Sequence, residues 1–166
     1  MDDFRVGFGY DSHRIAKGRK LILGGVEFPG EDGLLGHSDA DVLIHAIIDS
    51  LLGAACEGDI GAHFPDTDEK WKGASSAMML SSVVSRLSEK GWTVGNVDAT
   101  VIAEKIRIRP QADKIRESLA QILKVDISRV SVKGKTNEKM DEVGASVGVV
   151  CHAAALIFKN NKDKNK

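Results

Sequence analysis

The fold is decided by the stretch Ser38-Asp-Ala-Asp-Val-Leu-Ile-His-Ala-Ile-Ile-Asp-Ser-Leu-Leu-Gly-Ala-Ala55. A helix of this sequence is apolar on nearly every side. A helix that is hydrophobic all round must be covered by other elements. We predict a helix over residues 39 to about 55, with Ser38 as the N-cap and Asp41 completing a capping box. The sequence therefore predicts a buried helix that the rest of the chain packs around.

Strand-like and helical segments alternate on both sides of this helix. Strands are predicted at residues 4–10, 20–29 with a hairpin-like break at Gly24-Gly25, 93–103, 130–135 and 147–159. Further helices are predicted at 74–90 and 110–124, and loops at 30–36 and 61–73. Strands separated by helices indicate an α/β fold with βαβ-like units. We expect one domain over residues 1–159 and a disordered polar tail over 160–166.

The composition excludes several classes of partner. Of the 166 residues 42% are hydrophobic, and 23 basic residues nearly balance 24 acidic ones, for a net charge of -1. This balance indicates neither nucleic acid nor an anionic membrane as a partner, and no stretch is long and apolar enough to cross a bilayer. Cys56 and Cys151 lie far apart in apolar settings, which is typical of reduced thiols, and no secretory signal is visible. We expect a cytoplasmic location.

A carboxylate and two histidines form a candidate metal site. Asp11 and His13 are two residues apart in the first predicted strand, and the strand period of two puts both on one face. His45 adds a second imidazole from the buried helix. This set suits a divalent metal of the zinc type, and three protein ligands leave a coordination position open, as in catalytic sites. Asp41 and Asp49, four residues before and after His45, are candidates for orienting it.

Two further segments are candidates for binding phosphate. His37 and Ser38 stand at the amino end of the predicted helix, where free amides and the helix dipole favour anions. The segment Lys133-Gly-Lys-Thr-Asn-Glu138 offers cations, a hydroxyl at Thr136 and a lone carboxylate of the kind that holds Mg²⁺ together with substrate phosphates. Each feature, the Asp-x-His pair included, also has an ordinary structural explanation when taken alone.

Several motifs occur together and in order along the chain. They are Gly9-Tyr-Asp-Ser-His13, Gly33-Leu-Leu-Gly-His-Ser-Asp-Ala-Asp-Val42, Asp49-Ser-Leu-Leu-Gly-Ala-Ala55, Gly58-Asp-Ile-Gly61, Phe64-Pro-Asp-Thr-Asp68 and Gly95-Asn-Val-Asp98. With these motifs the chain resembles the 2-C-methyl-D-erythritol 2,4-cyclodiphosphate synthase family over nearly its whole length, the lysine-rich tail excepted. Several motifs in register are far more specific than any one of them.

The resemblance implies both a fold and a reaction. It implies a homotrimer with active sites between neighbouring subunits, each subunit an α/β sandwich with helices on one side of a mixed sheet. The implied reaction is the cyclisation of 4-diphosphocytidyl-2-C-methyl-D-erythritol 2-phosphate with release of CMP, a lyase step of non-mevalonate isoprenoid biosynthesis. The implied metals are Zn²⁺, or a similar divalent transition metal, and Mg²⁺ or Mn²⁺ bridging the substrate diphosphate.

The resemblance also implies roles for individual residues. It implies that zinc is bound by Asp11, His13 and His45 and that the second metal is bound by Glu138. It implies catalytic roles for His37, Thr136 and Glu138. The implied substrate contacts cover the metal ligands, the phosphate loop, the erythritol and ribose positions, a flexible flap and the cytosine pocket. They are Asp11, His13, His37, Ser38, Asp59, Gly61, Asp66, Ala103, Arg107, Ile108, Arg109 and Thr136.

The chain departs from the family pattern at two positions after Glu138. The family usually carries an arginine and then an acidic residue in a Gly-rich run, and this chain has Ala145 and Val147 there. In the family these residues face a cavity on the trimer axis that accepts an isoprenoid phosphate. We therefore expect no anionic isoprenoid to bind on the axis of this protein.

Three other functions stay open on the sequence alone. Fe(II) oxygenases also use two histidines and a carboxylate, although in the reverse order and in β-rich folds. A zinc phosphoesterase would activate a water molecule and release inorganic phosphate. A trimeric nucleotide-binding module with a structural metal would bind its ligand without turnover.

Overall fold

The computed structural model describes residues 3–159 of the chain. The strands are β1 (Asp3–Leu23), β2 (Val26–Leu34), β3 (Thr93–Ile102), β4 (Val130–Lys135) and β5 (Gly148–Lys159). The helices are α1 (Val42–Ala55), α2 (Ile60–His63), α3 (Ser76–Glu89), α4 (Ala112–Leu123) and α5 (Asp141–Gly144). The tail predicted at 160–166 lies outside the described residues.

The five strands form one mixed sheet in the order β2-β1-β5-β3-β4. β1 pairs with β5 over residues 3–14 and changes to β2 at Ile15, which explains why it runs far beyond the predicted strand at 4–10. β3 and β4 are parallel and are joined through α4, whereas β3 and β5 are antiparallel. The predicted α/β class with a βαβ unit is therefore confirmed.

Helices cover one face of this sheet, with α1 packed on β1 and β5. Side chains of β1 alternate accordingly, since Gly7 and Gly9 are buried against α1 while their even-numbered neighbours are exposed. The exposed set is apolar and consists of Phe4, Val6, Phe8 and Tyr10. The opposite face of β1 is thus an apolar stripe that no element of the described chain covers.

The predicted buried helix is confirmed, because 11 of the 14 residues of α1 are buried. Its start differs from the prediction. The helix begins at Val42, and the N-cap is Asp41, which accepts a hydrogen bond from the Ile44 amide at 3.1 Å. Ser38 lies outside the helix and accepts from the Ala40 amide at 3.1 Å. No helix in residues 3–159 is long and apolar enough to span a membrane.

A tertiary contact decides which residue caps α1. The Asp41 carboxylate also accepts hydrogen bonds from the amides of Gly24 at 2.9 Å and Gly25 at 2.8 Å, so it ties the β1–β2 turn to the helix start. Burial raises the pKa of Asp41 to about 6, although the three backbone donors favour its charged form. Asp41 thus takes up a backbone amide at the amino end of α1, and phosphate binding at His37 and Ser38 stays a prediction.

The predicted loops contain more regular structure than expected. β2 extends to Leu34 and so takes up much of the predicted loop at 30–36, because Asp32 and Gly33 pair with β1. The predicted loop at 61–73 contains the end of α2 and a 3-10 turn at Glu69–Trp71. The predicted strands after residue 90 and the helices at 74–90 and 110–124 agree with the structure within two residues at each end.

Two glycines allow α1 to lie directly on β1. A Cβ atom added at Gly9 would lie 1.9 Å from the carbonyl oxygen of Ala46, and one added at Gly7 would lie 1.9 Å from that of Ser50. Only glycine permits the helix and strand backbones to approach this closely. The close approach brings His45 of α1 to Asp11 and His13 of β1.

Replacing Gly9 with alanine should destabilise the protein by more than the roughly 1–3 kcal/mol typical of overpacking, because the clash is with backbone. Urea unfolding measures this loss. The matched control is Gly53→Ala in α1, where a Cβ would meet only the Phe8 carbonyl oxygen at 3.8 Å. That change should be neutral or stabilise the helix by up to about 1 kcal/mol. Equal losses in both variants would contradict the close-packing explanation.

Candidate active site

The three predicted zinc ligands converge on one point between β1 and α1. The Oδ2 atom of Asp11 lies 3.0 Å from Nε2 of His13 and 3.0 Å from Nδ1 of His45. The two ring nitrogens are 3.2 Å apart. The structure therefore brings together one carboxylate oxygen and two imidazole nitrogens in a nearly equilateral triangle.

This triangle fits a tetrahedral zinc ion. Zinc bonds of 2.0–2.1 Å in tetrahedral geometry place neighbouring ligand atoms about 3.3 Å apart, close to the observed separations. Among the described residues, Asp11, His13 and His45 are the group of histidine, cysteine and acidic side chains whose ligand atoms lie close enough to share a metal ion. The donor set of two nitrogens and one oxygen also suits zinc, so the residues fit the predicted metal.

Asp11, His13 and His45 form a triad whose electrostatics favour a charged carboxylate facing the imidazoles. Burial alone would raise the pKa of Asp11, but its hydrogen bonds to His13 and His45 outweigh burial and hold that pKa well below the usual range. Burial lowers the pKa of His13, and the neighbouring Asp11 more than reverses this, so the pKa of His13 is raised. Asp11 thus supplies a negative charge to any cation bound there.

The triad opens onto a cavity of about 630 Å³. Four more residues predicted to contact substrate line the same cavity, namely His37, Ser38, Gly61 and Asp66. Within the described chain, Nε2 of His37 is a buried side-chain nitrogen without a hydrogen-bond partner. A buried polar atom of this kind is costly unless a ligand or water satisfies it.

Another group of residues predicted to contact substrate lines a second cavity of about 240 Å³. This cavity is lined by Ala103, Arg107, Ile108, Arg109 and Thr136, among others. The two cavities share no lining residue. In the sheet order, β1 and β4 are three strand spacings of about 4.8 Å apart, which is roughly 14 Å between the two strands.

The family of the chain follows from comparison with known proteins. A family model described as the YgbB family matches residues 4–158. The chain belongs to the YgbB family. A relative from Brachyspira hyodysenteriae, named 2-C-methyl-D-erythritol 2,4-cyclodiphosphate synthase, is 54% identical over 155 residues, 93% of this chain and 98% of its own length. A relative of the same name from Cupriavidus metallidurans is 52% identical over 161 residues, 97% of this chain and 96% of its own length.

Solved structures share the fold of this YgbB family member. IspF from Plasmodium falciparum in complex with CDP matches with a TM-score of 0.84 and 36% identity, covering 95% of this chain and 97% of that one. The bifunctional IspDF from Campylobacter jejuni matches with a TM-score of 0.93 and 33% identity over 96% of this chain. The chain spans only 43% of that bifunctional protein's length. The family predicted from the motifs is therefore confirmed.

The predicted site residues Asp59 and Glu138, and the orienting candidate Asp49, lie outside both cavity linings. Asp59 is the N-cap of α2 and accepts a hydrogen bond from the Ala62 amide at 2.9 Å. Glu138 accepts a hydrogen bond from the Thr136 hydroxyl at 2.8 Å, which places it beside the second cavity. Asp49, proposed to orient His45, instead accepts from the Ile60 amide at 2.7 Å and so positions α2.

Glu104 is a site-supporting residue that the sequence did not reveal. Its Oε2 atom accepts hydrogen bonds from the amides of Asn137 at 3.1 Å and Lys139 at 3.4 Å. These bonds hold a loop in which Glu138 and Lys139 have positive φ angles of 49° and 62°. Non-glycine residues adopt such angles at a cost of roughly 1–3 kcal/mol, and only where surrounding contacts enforce them.

Replacing Asp11 with asparagine should weaken zinc binding by more than the roughly 10- to 100-fold typical of changes behind the ligands. The amide keeps the shape of the side chain and loses the charge that faces the imidazoles. Competition with a chromophoric chelator measures the zinc Kd. The control is Asp32→Asn on the exposed part of β2, which should bind zinc like the unmodified protein. An unchanged Kd in Asp11→Asn would mean that this triad is not the zinc site.

Proposed function

We propose that this chain converts 4-diphosphocytidyl-2-C-methyl-D-erythritol 2-phosphate to 2-C-methyl-D-erythritol 2,4-cyclodiphosphate and CMP, the activity named by its relatives. One observation carries the proposal: the converging ligand atoms of Asp11, His13 and His45, within 3.2 Å of one another, lie at a cavity of about 630 Å³. An open, three-ligand zinc position in such a cavity is typical of a catalytic site.

The reaction needs positioning more than acid–base chemistry. An oxygen of the substrate's 2-phosphate bonds to the β-phosphorus, and the bond from that phosphorus to the bridging oxygen breaks, so CMP leaves with the bridging oxygen. A phosphate monoester has a second pKa of about 6 and is mostly dianionic at neutral pH, so it can attack without a general base. The barrier comes from bringing two anionic groups together.

The chain's residues divide this work between the two cavities. Asp11, His13 and His45 would hold the zinc, which supplies charge neutralisation and Lewis acidity when bound. His37, whose buried Nε2 lacks a partner in the described chain, is suited to donate a hydrogen bond to a substrate phosphate. Glu138 would hold Mg²⁺ or Mn²⁺ on the diphosphate, with Thr136 contacting phosphate.

The second cavity is proposed to hold the cytidine end of the substrate. Its lining by Ala103, Arg107, Ile108 and Arg109 supports this assignment. Fixing both ends of one flexible molecule places the 2-phosphate next to the β-phosphorus. A well-oriented intramolecular attack of this kind can remove roughly 7–11 kcal/mol from the barrier.

We propose that the functional unit is a homotrimer whose active sites lie between subunits. The exposed apolar stripe of β1 supports an assembly, since Phe4, Val6 and Phe8 are 60%, 73% and 66% exposed. A contiguous exposed apolar stripe is typical of an interface. Cavities that share no residues within one chain also suit a site completed by a neighbour. With Ala145 and Val147 in place of charged residues, the axis of the trimer should not hold an anionic isoprenoid.

The proposed location is the cytoplasm. Both cysteines are free thiols, Cys56 exposed and Cys151 buried. Unpaired cysteines are typical of a reducing compartment.

Removing the Asp11 carboxylate should abolish CMP release. The Asp11→Ala variant is expected to lose at least about a thousandfold in turnover, because metal polarisation is worth several kcal/mol and each 1.4 kcal/mol is a factor of ten. CMP formation from the named substrate is followed by chromatography, with and without a chelator. The Asp32→Ala variant is the control. Turnover that survives in Asp11→Ala would overturn the metal assignment.

The same assay separates the alternative functions. A zinc phosphoesterase would release inorganic phosphate from the substrate instead of CMP. A nucleotide-binding module would bind CDP without forming either product. An Fe(II) oxygenase would require ferrous iron and oxygen, and zinc would inhibit it.

A charge placed on the β1 stripe should break the trimer. The Phe8→Asp variant is expected to be a monomer in solution, because an interface that buries an unpaired carboxylate loses several kcal/mol. Light scattering of both proteins measures the mass in solution. Met78→Asp on α3 is the control, since Met78 is 72% exposed but lies off the sheet. A wild-type monomer, or a Phe8→Asp trimer, would contradict the proposed assembly.

A further inference from the structure

A chain of hydrogen bonds leads from His45 away from the candidate metal position. The Nε2 atom of His45 lies 2.8 Å from the hydroxyl oxygen of Ser76, and that hydroxyl contacts a carboxylate oxygen of Asp39. Ser76 is 0% exposed and His45 is 8% exposed. Asp39 precedes α1, His45 lies within it, and Ser76 is the first residue of α3. The chain thus joins two helices behind the triad.

The chemistry of Asp39 fixes the direction of these hydrogen bonds. Its Oδ2 atom accepts from the Ser76 amide at 3.0 Å and its Oδ1 atom accepts from the Asp41 amide at 3.3 Å. Backbone N–H groups only donate, so both oxygens of Asp39 act as acceptors. The single hydroxyl proton of Ser76 must then be donated to Asp39. The Ser76 oxygen is left to accept, and its partner is the Nε2–H of His45.

Ser38 is compatible with this assignment. Its hydroxyl oxygen lies 3.2 Å from the same Nε2 atom of His45 and accepts a hydrogen bond from the Ala40 amide at 3.1 Å. A proton on Nε2 can be shared between the oxygens of Ser76 and Ser38. Without that proton, the Nε2 lone pair would face the Ser76 oxygen lone pair at 2.8 Å, which is repulsive.

A proton on Nε2 leaves the lone pair of a neutral imidazole on Nδ1. The Nδ1 atom faces Oδ2 of Asp11 at 3.0 Å and Nε2 of His13 at 3.2 Å. We propose that Asp39 and Ser76 are positioning residues that keep the His45 proton on Nε2 and so hold the Nδ1 lone pair ready for a divalent metal. This inference rests on the metal site proposed above. It replaces the wrong prediction that Asp41 or Asp49 orients His45.

Asp39 also has a structural role that the test must separate from this one. The N-cap residue of α3, Ser75, makes no side-chain capping bond, and the bond from the Ser76 amide to Asp39 serves in its place. A purely capping Asp39 would affect stability alone. A positioning Asp39 would also affect the His45 tautomer and the zinc affinity of the folded protein.

The first variant is Asp39→Asn, which keeps the shape of the side chain. An amide has one oxygen and one NH₂ group, and it must present the NH₂ to either the Ser76 amide or the Ser76 hydroxyl. Facing the hydroxyl, the NH₂ also faces the donor amide of Asp41; Ser76 is then left to donate to Nε2, and the His45 proton moves to Nδ1. Facing the amide, it places two donors together. Either arrangement weakens the proposed chain of hydrogen bonds from Asp39 through Ser76 to His45.

The second variant, Ser76→Ala, removes only the hydroxyl. It keeps the hydrogen bond from the backbone amide of residue 76 to Asp39, and therefore the start of α3. It thus tests the chain of hydrogen bonds to His45 even if Asp39→Asn fails to fold. The matched control is Asp126→Asn, which alters a carboxylate that caps the 3-10 turn Ile127–Arg129 through the Ser128 amide at 2.9 Å.

The tautomer is read by long-range ¹H–¹⁵N correlation of the metal-free full chain, well above the ordinary imidazole pKa of about 6.5. A His45→Gln spectrum assigns the signals. The Nε2–H pattern is expected for His45 in the unmodified protein and in Asp126→Asn, and a mixed or Nδ1–H pattern in Asp39→Asn. Zinc competition should show Kd values weakened roughly 10- to 100-fold in Asp39→Asn and Ser76→Ala.

The outcomes distinguish this inference from the proposed function. An Nδ1–H pattern in the unmodified protein overturns the inference, as do variants that bind zinc as tightly as the control. In both cases CMP release and zinc binding by the unmodified protein leave the proposed function standing. An unmodified protein that neither binds zinc nor releases CMP overturns the proposed function, and the inference with it.

Discussion

The contact of α1 with β1 is the constraint on which the site depends. Gly7 and Gly9 let the helix backbone lie against the strand, where any larger residue would meet a carbonyl oxygen. His45 then reaches Asp11 and His13, so that three ligand atoms lie within 3.2 Å of one another. The candidate metal site is therefore a consequence of backbone packing. Moving the helix away from the strand by the width of one methyl group would separate His45 from Asp11 and His13.

Polar side chains buried around α1 divide between two tasks. Asp41 satisfies three backbone amides and joins the β1–β2 turn to the helix, which is a structural task. Asp39, two residues earlier, acts through Ser76 on the ring of His45. The two aspartates belong to one short motif, and only their hydrogen-bond partners distinguish their roles. Asp41 and Ser76 are both 0% exposed, and an unsatisfied polar group is most costly where water is excluded.

The sheet bears the candidate site on one face of β1 and an exposed apolar stripe on the other. The helix-covered face of β1 presents Asp11 and His13, while the alternate residues form the apolar stripe. A strand that alternates in this way can serve a metal centre and an interface at once. The loop after β4 adds a second constraint, because Glu104 holds two residues at positive φ beside Thr136. Precise placement of Glu138 therefore depends on a carboxylate that does not face the first cavity.

Much of this protein is determined locally by its sequence. Apolar periodicity predicts the buried helix and the strands, and the alternation of β1 predicts that Asp11 and His13 share a face. The cap of α1, the length of β1 and the partners of His45 depend on residues distant in sequence, which no local pattern specifies. Ser76 gives no signal of its own, since a serine at a helix start is common. Only tertiary packing brings it to within 2.8 Å of an imidazole 31 residues away, because hydrogen bonds between remote segments form where the core leaves room for them.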